Sequence, residues 1–464
     1  MFDLDLLKYG DKPCLIKDNI TIAYKELSIV CQRIEDILPK EKQLILIKAK
    51  INIETIVGYL SFLRSGHAFI MIDNSIDDYL MNSIIEIYQP NFIWEEIDKN
   101  DETVVIRYIN YGLKLNNSEI LKLNPNLAIM LSTSGTTGSP KMVKLSKQNL
   151  YSNCKSIVKY LNIKANHRAI TNLPFYYSYG ISILNTHLDK GASIVVTDES
   201  IMSKEFWNIF NKKEVTTLSG VPYNYEILKR IGFMKMDLPS LKFMTQAGGK
   251  LNHKLVVEYA NWSNEHSIDF CIMYGQTEAT ARISYLEPEN ALTKNTSIGI
   301  PIPDGKLKIK DLNSGKYINE SDTDGELIYE GENVMMGYAT SLVDLSKADE
   351  LNGVLHTGDI ARKDDDGYFY ITGRIKRFIK IHGNRVGLDE IEQYLKSMHF
   401  DILCTGIDNK LMIATIDKGN IEEIKQMIIE KYSFHHSVVK VKYIDEYPTT
   451  SAGKIKYKEL IGRF

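Results

Sequence analysis

The stretch Leu131-Ser-Thr-Ser-Gly-Thr-Thr-Gly-Ser-Pro-Lys141 carries the strongest chemical signal in the sequence. Glycines allow backbone N–H groups to turn inward as an anion nest, and hydroxyls and an ammonium add donors suited to phosphate oxygens. It is not the G-x-x-x-x-G-K-[ST] phosphate loop, because Ser139 and Pro140 separate Gly138 from Lys141. A plain Ser/Thr/Gly surface loop has the same composition, and on composition alone that alternative stays open. A second run, Gly373-Arg-Ile-Lys-Arg-Phe-Ile-Lys380, is basic. Taken by itself it reads as a solvated linker, the usual fate of a charge run.

These residues need elements to hold them. Leu44–Ala49 (LILIKA) is a short apolar run of the buried-strand type. Ile53, Ile56, Val57, Leu60 and Leu63 then recur at helical spacing as one stripe. Gly66 stands where that helix would stop, and AFIMI at 68–72 predicts the next strand. Strand, helix, strand implies a parallel sheet covered on both faces. The pattern returns in strands at 192–196 and 241–246 and helices at 205–210 and 254–262. LAIML (127–131) and FCIMYG (270–275) read as strands that feed the polar segments behind them. From about residue 300, KLKIKD, ELIYEG and GYFYITG are strands separated by Gly/Asn/Asp turns, ending near Gly373. The stretch 377–464 predicts helix, two strands, helix, strand and a Lys-rich tail. The expected fold is therefore α/β, with a large multi-layer N-terminal domain ending in a β-rich region (1–373). A separate, small α+β C-terminal domain (377–464) completes it.

Composition excludes several classes. With 464 residues, 44% hydrophobic and 25% charged, the chain has the balance of a globular protein of one large and one small domain, or of about three at roughly 150 residues each. A net charge of −3, from 56 basic and 59 acidic residues, leaves no excess for a nucleic-acid partner. Five scattered cysteines without a C-x-x-C argue against a disulfide framework or thiolate metal site, and for a reducing compartment. The opening MFDLDLLKYGDK lacks the marks of a secretion signal, and no run approaches a membrane span. The expectation is a cytoplasmic enzyme without membrane insertion.

STSGTTGSPK resembles the phosphate loop of the adenylate-forming superfamily, which includes acyl-CoA synthetases, luciferase and the adenylation domains of peptide synthetases. Further matches follow in order. Gln246-Ala-Gly-Gly249 resembles the glycine-rich strand end beside adenine, and Met273-Tyr-Gly-Gln-Thr-Glu278 the Y-G-x-T-E box. His356-Thr-Gly-Asp359 resembles the T-G-D box, Gly373-Arg374-Ile-Lys376 the hinge, and Pro448-Thr-Thr-Ser-Ala-Gly-Lys454 the loop of the C-terminal lysine.

The resemblance implies a role for each. Thr133, Ser134, Gly135, Thr136, Thr137, Gly138 and Lys141 would hold the ATP phosphates, with Gly248, Gly249, Tyr274 and Gly275 around the adenine and Arg374 reaching the ribose or phosphate. Thr277 would donate to the α-phosphate. Glu278 would ligate Mg²⁺, a hard, oxygen-seeking ion; alone it would read as an acid near a helix N-terminus. Asp359 would accept from both ribose hydroxyls. Lys454 would insert between the carboxylate and the α-phosphate, where neutralising charge matters more than a base because the carboxylate is already ionised. Residues 374–376 would be a hinge with Lys376 as pivot and the C-terminal domain mobile about it, Lys380 and Gly383 serving a second half-reaction.

Two departures bear on the substrate. Met142 follows Lys141 where the family usually has glycine, downstream of the phosphate contacts. In Leu173-Pro-Phe-Tyr-Tyr-Ser-Tyr-Gly180, Tyr177 replaces the histidine of acyl-CoA synthetases. Tyrosine there argues against an α-amino acid, and Tyr177, Tyr223 and Gln246 are the expected acyl-pocket residues. The implied activity is AMP-forming ligation of a small carboxylic acid to a thiol, either coenzyme A or the phosphopantetheine of an acyl or peptidyl carrier protein. The rival readings are an amino- or hydroxy-acid activating enzyme that loads a carrier protein, and an inactive nucleotide-binding protein.

Overall fold

A computed structural model describes residues 5–132, 141–375, 377–381, 384–432, 434–449 and 455–464. The chain forms two compact units. The first comprises Met1–Asn295, Pro301–Lys306 and Glu330–Leu355, and the second Thr296–Ile300, Leu307–Tyr329 and His356–Phe464. The β-rich stretch thus belongs with the C-terminal residues, and the expected 373–377 boundary lies inside the second unit.

One sheet of the first unit runs in the order Gly337–Ala339, Met142–Ser146, Leu127–Ser132, Ala68–Asp73, Leu44–Ala49, Phe92–Glu96, Tyr111–Leu115, Val104–Tyr108. Its four central strands, Leu127–Ser132 to Phe92–Glu96, are parallel, and antiparallel strands close each side. The expected strand–helix–strand unit is Leu44–Ala49, Ile53–Ser65 and Ala68–Asp73. Asn52 caps the helix by accepting from the Thr55 N–H at 2.8 Å, and Gly66 ends it at φ +84°. The sequence shows one apolar stripe, yet every residue from Ile53 to Leu63 is buried. The reason is placement: this helix lies in a core whose members come from both sheets of the unit, including Ile45, Phe69, Leu15 and Ile194. Gly58 belongs to that packing, since a Cβ there would stand 2.6 Å from the Trp94 indole nitrogen.

The other sheet includes, in order, Ser284–Leu286, Asp269–Tyr274, Phe243–Gln246, Thr217–Gly220, Arg168–Ile170, Ser193–Val195, Pro13–Lys17 and Ile20–Ala23. Strands Thr217–Gly220, Phe243–Gln246 and Asp269–Tyr274 are parallel and in close register, Gly220 opposite Gln246 and Gln246 opposite Ile272. Their carboxyl ends therefore finish together, the arrangement in which open α/β sheets bind ligands.

In the second unit, strands Tyr317–Ile318, Lys306–Lys310, Gly325–Glu330, Val354–Lys363 and Phe369–Arg374 form a five-stranded sheet. The hairpin Phe378–Ile381/Asn384–Gly387 precedes the helix Leu388–Ser397. Strands Ile402–Ile407, Lys410–Thr415 and Val439–Tyr443 form a further sheet, whose parallel pair is joined through the helix Ile421–Tyr432. Ile379, Ile391, Ile402, Leu411, Ile424 and Val439 are core members there. All five cysteines are buried and free. Among the described residues no helix is long and apolar enough to cross a membrane.

His67, His167 and His187 are buried in the first unit, and desolvation lowers each from 6.5 to about 4. Between those values the unfolded chain binds protons that the folded unit refuses. Stability of this unit is therefore full above about pH 6.5 and falls as the pH drops toward 4. Thermal unfolding followed from about pH 7 to pH 5 should show the midpoint falling before ordinary carboxylates titrate. A flat profile over that interval would contradict the neutral burial of these imidazoles.

Candidate active site

The strand Asp269–Tyr274 delivers the chain into Gly275-Gln276-Thr277-Glu278, a 3₁₀ turn follows at Thr277–Ala279, and the chain returns as Ser284–Leu286. The reversal is tight. A Cβ on Gly275 would lie 1.9 Å from the Ala281 carbonyl oxygen and 2.8 Å from the Arg282 Cα, so this position accepts only glycine. Thr280 completes the reversal at φ +64°, ψ −54°, with the Ala281 N–H donating to the Ala279 carbonyl at 2.7 Å. This is a γ-turn of the rare, strained hand, and on a β-branched residue it needs support from its surroundings. Asn333 provides it: its Nδ2 donates to the Ala279 and Arg282 carbonyls, both at 2.8 Å, while Thr280 Oγ1 donates to the Asn333 carbonyl at 2.7 Å. Asn153 Nδ2 adds a bond to the Arg282 carbonyl at 3.1 Å.

The turn fixes Thr277 and Glu278. Thr277 is buried, its hydroxyl 3.5 Å from that of Ser178. The Glu278 backbone carbonyl accepts from the Met335 N–H at 2.8 Å, and its Oε1 accepts from the Tyr338 hydroxyl at 2.9 Å. Burial and the Glu278 carboxylate together push the Tyr338 phenol well above its ordinary range, so it remains a donor. The Lys141 ammonium lies over the Tyr338 ring, 3.3 Å from its centroid. Lys141 and Glu278, far apart in sequence, thus meet across one tyrosine. The loop before Lys141 is anchored at both ends by Ser132 paired with Met142. Thr133, Ser134, Gly135, Thr136, Thr137 and Gly138 lie outside the described residues.

At the neighbouring strand end, Gln246 is buried and its Nε2 donates to the Gly249 carbonyl at 2.9 Å, tying its own turn. Gly248 adopts φ +85°, and the Tyr177 hydroxyl stands where a Cβ would clash with it. Gly249 packs on Pro222, whose ring a Cβ there would approach to 3.1 Å. Burial raises the Tyr177 phenol to about 12, opposed by Arg282. The Tyr274 hydroxyl accepts from Gln276 Nε2 at 3.2 Å. Gly248, Gly249, Tyr177, Gln246, Tyr274 and Gly275 therefore occupy adjoining strand ends. Tyr223 differs: it is the second residue of the helix Pro222–Arg230 and is 45% exposed.

In the second unit, Asp359 and Arg374 face each other across paired strands, and Arg374 Nε donates to Asp359 Oδ1 at 2.9 Å. Asp359 is only 2% exposed, and its backbone N–H donates to Thr357 Oγ1 at 3.1 Å. Lys380 is exposed on the strand Phe378–Ile381, its N–H donating to Asp408 Oδ1 at 2.9 Å. Lys376, Gly383 and Lys454 lie outside the described residues. Thr449 and Ile455, which flank the Lys454 loop, form an antiparallel bridge.

Sequence reasoning passed over Tyr338, Asn333 and Arg282. Tyr338 is one of 27 tyrosines and Asn333 stands in a turn, so neither offered a signal. Arg282 did offer one: it is a charge inside the otherwise strand-like ARISYL.

The sequence matches the family described as AMP-binding enzyme over residues 2–339. It is 27% identical over 363 residues to 4-coumarate–CoA ligase-like 6 of Arabidopsis thaliana, covering 74% of this chain and 63% of that protein. It is 24% identical over 485 aligned positions to the D-alanine–D-alanyl carrier protein ligase of Listeria monocytogenes serotype 4a (strain HCC23), covering 98% and 91%. The match to the Arabidopsis protein, like those to an indoleacetate–CoA ligase of Aromatoleum aromaticum and a putative acyl-CoA synthetase of Bacillus subtilis, spans 63–66% of the relative's length. In fold, the chain is similar to o-succinylbenzoate CoA synthetase from Bacillus subtilis solved with its acyl-adenylate intermediate, with a TM-score of 0.79, 20% identity and coverage of 99% and 97%. Sharing the family's pattern over most of its length, and holding the glycine-pinned turn and the paired sheets described above, this chain belongs to the AMP-binding enzymes.

Proposed function

We propose that this chain activates a carboxylic acid with ATP and passes the acyl group to a thiol. In the first step a carboxylate oxygen bonds to the α-phosphorus, the α–β bridging bond breaks, and pyrophosphate leaves. In the second, a thiolate sulfur bonds to the acyl carbon, the bond from that carbon to the oxygen shared with the α-phosphorus breaks, and AMP departs with its electron pair. The observation that carries the reading is the pairing of Lys141 and Glu278 through Tyr338 on a glycine-pinned turn beside Thr277. An ammonium and a carboxylate held that close suit a polyphosphate and its counter-ion.

Among the described residues no three metal-ligating side chains cluster. That fits Mg²⁺, which takes one or two carboxylates and completes its shell with phosphates and water. Glu278 would hold it, and the ion would supply charge neutralisation at the phosphates. Asp359, oriented by Arg374, is suited to a ribose diol, and Thr277 to an α-phosphate oxygen. Tyr274 and the Gly248-Gly249 turn would flank the adenine. The loop 133–138 would hold phosphates, and Lys454 would offset charge where carboxylate and α-phosphate approach. Residues 377–464 would move about Lys376 between the steps, with Lys380 and Gly383 serving the second. Either coenzyme A or a carrier-protein phosphopantetheine fits as acceptor. The match to nearly the whole of a D-alanyl carrier protein ligase supports the carrier.

ATP–pyrophosphate exchange across a panel of carboxylic acids tests the reading. Lys454→Ala should lower exchange at least about a hundredfold while ATP binding is nearly retained, since a group acting on developing charge affects rate more than affinity. Exchange within a few-fold of wild type would remove Lys454 from the mechanism.

Glu278→Gln should lose activity that added Mg²⁺ partly restores, because the amide keeps an oxygen but not the charge. Tyr338→Phe removes one hydrogen bond to Glu278 and should cost less, about tenfold, with the same shift in Mg²⁺ dependence. Identical metal dependence in wild type and both variants would mark Glu278 as structural.

A further inference from the structure

Four residues beyond Glu278, the pinned turn places a charge in the interior. Arg282 is 3% exposed. Its guanidinium lies over the Tyr179 ring, 3.9 Å from the centroid. Nη1 donates to the Ala281 carbonyl at 3.1 Å, and Nε points to the Met273 sulfur at 3.3 Å. A guanidinium carries five N–H donors, and these contacts, one of them to a weakly accepting thioether sulfur, engage two of its three nitrogens without supplying a negative charge. Among the described residues no carboxylate pairs with it. Buried charges are normally paired, because an uncompensated one is costly. Arg377 in the second unit, only half-buried, follows that rule, with Asp389, Glu392 and the Cys404 carbonyl as partners.

The surroundings of Arg282 are those of the candidate site. Its Cα is what a Cβ on Gly275 would strike. Tyr179, beneath the guanidinium, meets Tyr177 edge-on with centroids 6.2 Å apart, and the Tyr177 hydroxyl rests on Gly248. Met273 also accepts from Tyr160, whose ring stacks on Tyr285 at 4.2 Å. These side chains belong to one small apolar cluster with Val221 and Ala247. Among the described residues this aromatic cluster gives the cation that stands on Tyr179 no counter-charge.

We propose that Arg282 receives a second carboxylate of the acyl substrate, so that the acid activated here is a dicarboxylic acid, one end adenylated and the other bound to this guanidinium. The proposal rests on the acid-activating reading above and narrows it. A carboxylate supplies both the missing charge and a planar acceptor for the remaining N–H donors, whereas a neutral carbonyl would leave the charge uncompensated. An α-amino acid would bring its ammonium toward a buried cation, which like-charge repulsion disfavours.

The test uses the full-length protein and matched acids. These are dicarboxylic acids of roughly three to eight carbons, aromatic members included, each paired with the monocarboxylic acid in which methyl replaces one carboxylate. Binding is measured by calorimetry and activation by ATP–pyrophosphate exchange. Wild type should bind at least one diacid about a hundredfold more tightly than its partner. Arg282→Met should erase that preference while leaving the unfolding midpoint unchanged or raised, because it removes an unpaired buried charge. Arg282→Lys should keep part of the preference, having the charge without the fork. Equal binding of diacids and monoacids by wild type overturns the proposal. So does a diacid preference that survives Arg282→Met, or a variant whose only defect is a lowered midpoint. If exchange fails with every acid while Arg282-dependent diacid binding persists, the adenylation reading falls and the anion site stands.

Discussion

The placing of Thr277, Glu278 and Arg282 follows from one steric constraint: the chain must reverse between Tyr274 and Ile283 with Gly275 against the Ala281 carbonyl. The Ile283 N–H returns to the Tyr274 carbonyl at 2.9 Å, which leaves so little room that Thr280 must take a positive φ. That strain persists because Asn333 satisfies the carbonyls on both sides of it. The reversal fixes Thr277 and Glu278 at its start and buries Arg282 at its end. Two electrostatic features, one suited to a metal-bound polyphosphate and one to an anion, are consequences of the same few dihedral angles.

The polar groups around the turn are arranged before any ligand arrives. Tyr338 reaches Glu278 from one side and carries Lys141 on its face, so two opposite charges keep separate positions instead of collapsing into a direct ion pair. Such preorganisation lowers the reorganisation needed as charge develops on transferring phosphates. In the second unit, the Asp359–Arg374 pair does the same for a buried carboxylate, fixing one oxygen and orienting the other.

Much of the fold was legible in the sequence because its signals are local. The apolar run at 44–49, the helical spacing from Ile53 to Leu63 and the stop at Gly66 each correspond to an observed boundary. The burial of that helix on all sides was not legible, since it depends on the second sheet closing over it. The hairpins at 13–23 and 104–115 went unread for a related reason: each ends in an antiparallel edge strand, Ile20–Ala23 and Val104–Tyr108, with mixed exposure. The change of texture read near residue 300 lies where the chain first passes into the second unit, at 296–307, while its return to the first at 330–355 leaves no local mark. Gly275, Thr277, Glu278 and Asp359 were singled out because their short motifs resemble the family's; the first three share one turn of the first unit, and Asp359 pairs with Arg374 in the second. Tyr338 and Asn333 were not, since their roles come from long-range contacts that leave no local pattern. Tyr223 was expected at the acyl pocket, and its exposure comes from its place on the outer face of a helix start.

The fate of a carboxylate oxygen tests the central claim most directly. With an acid labelled by oxygen-18 in its carboxylate, one labelled oxygen should appear in AMP after a full turnover with the thiol acceptor, because that oxygen bonds to the α-phosphorus before the acyl carbon departs. Label in inorganic phosphate accompanied by ADP, or AMP free of label, would contradict acyl-adenylate formation at this turn.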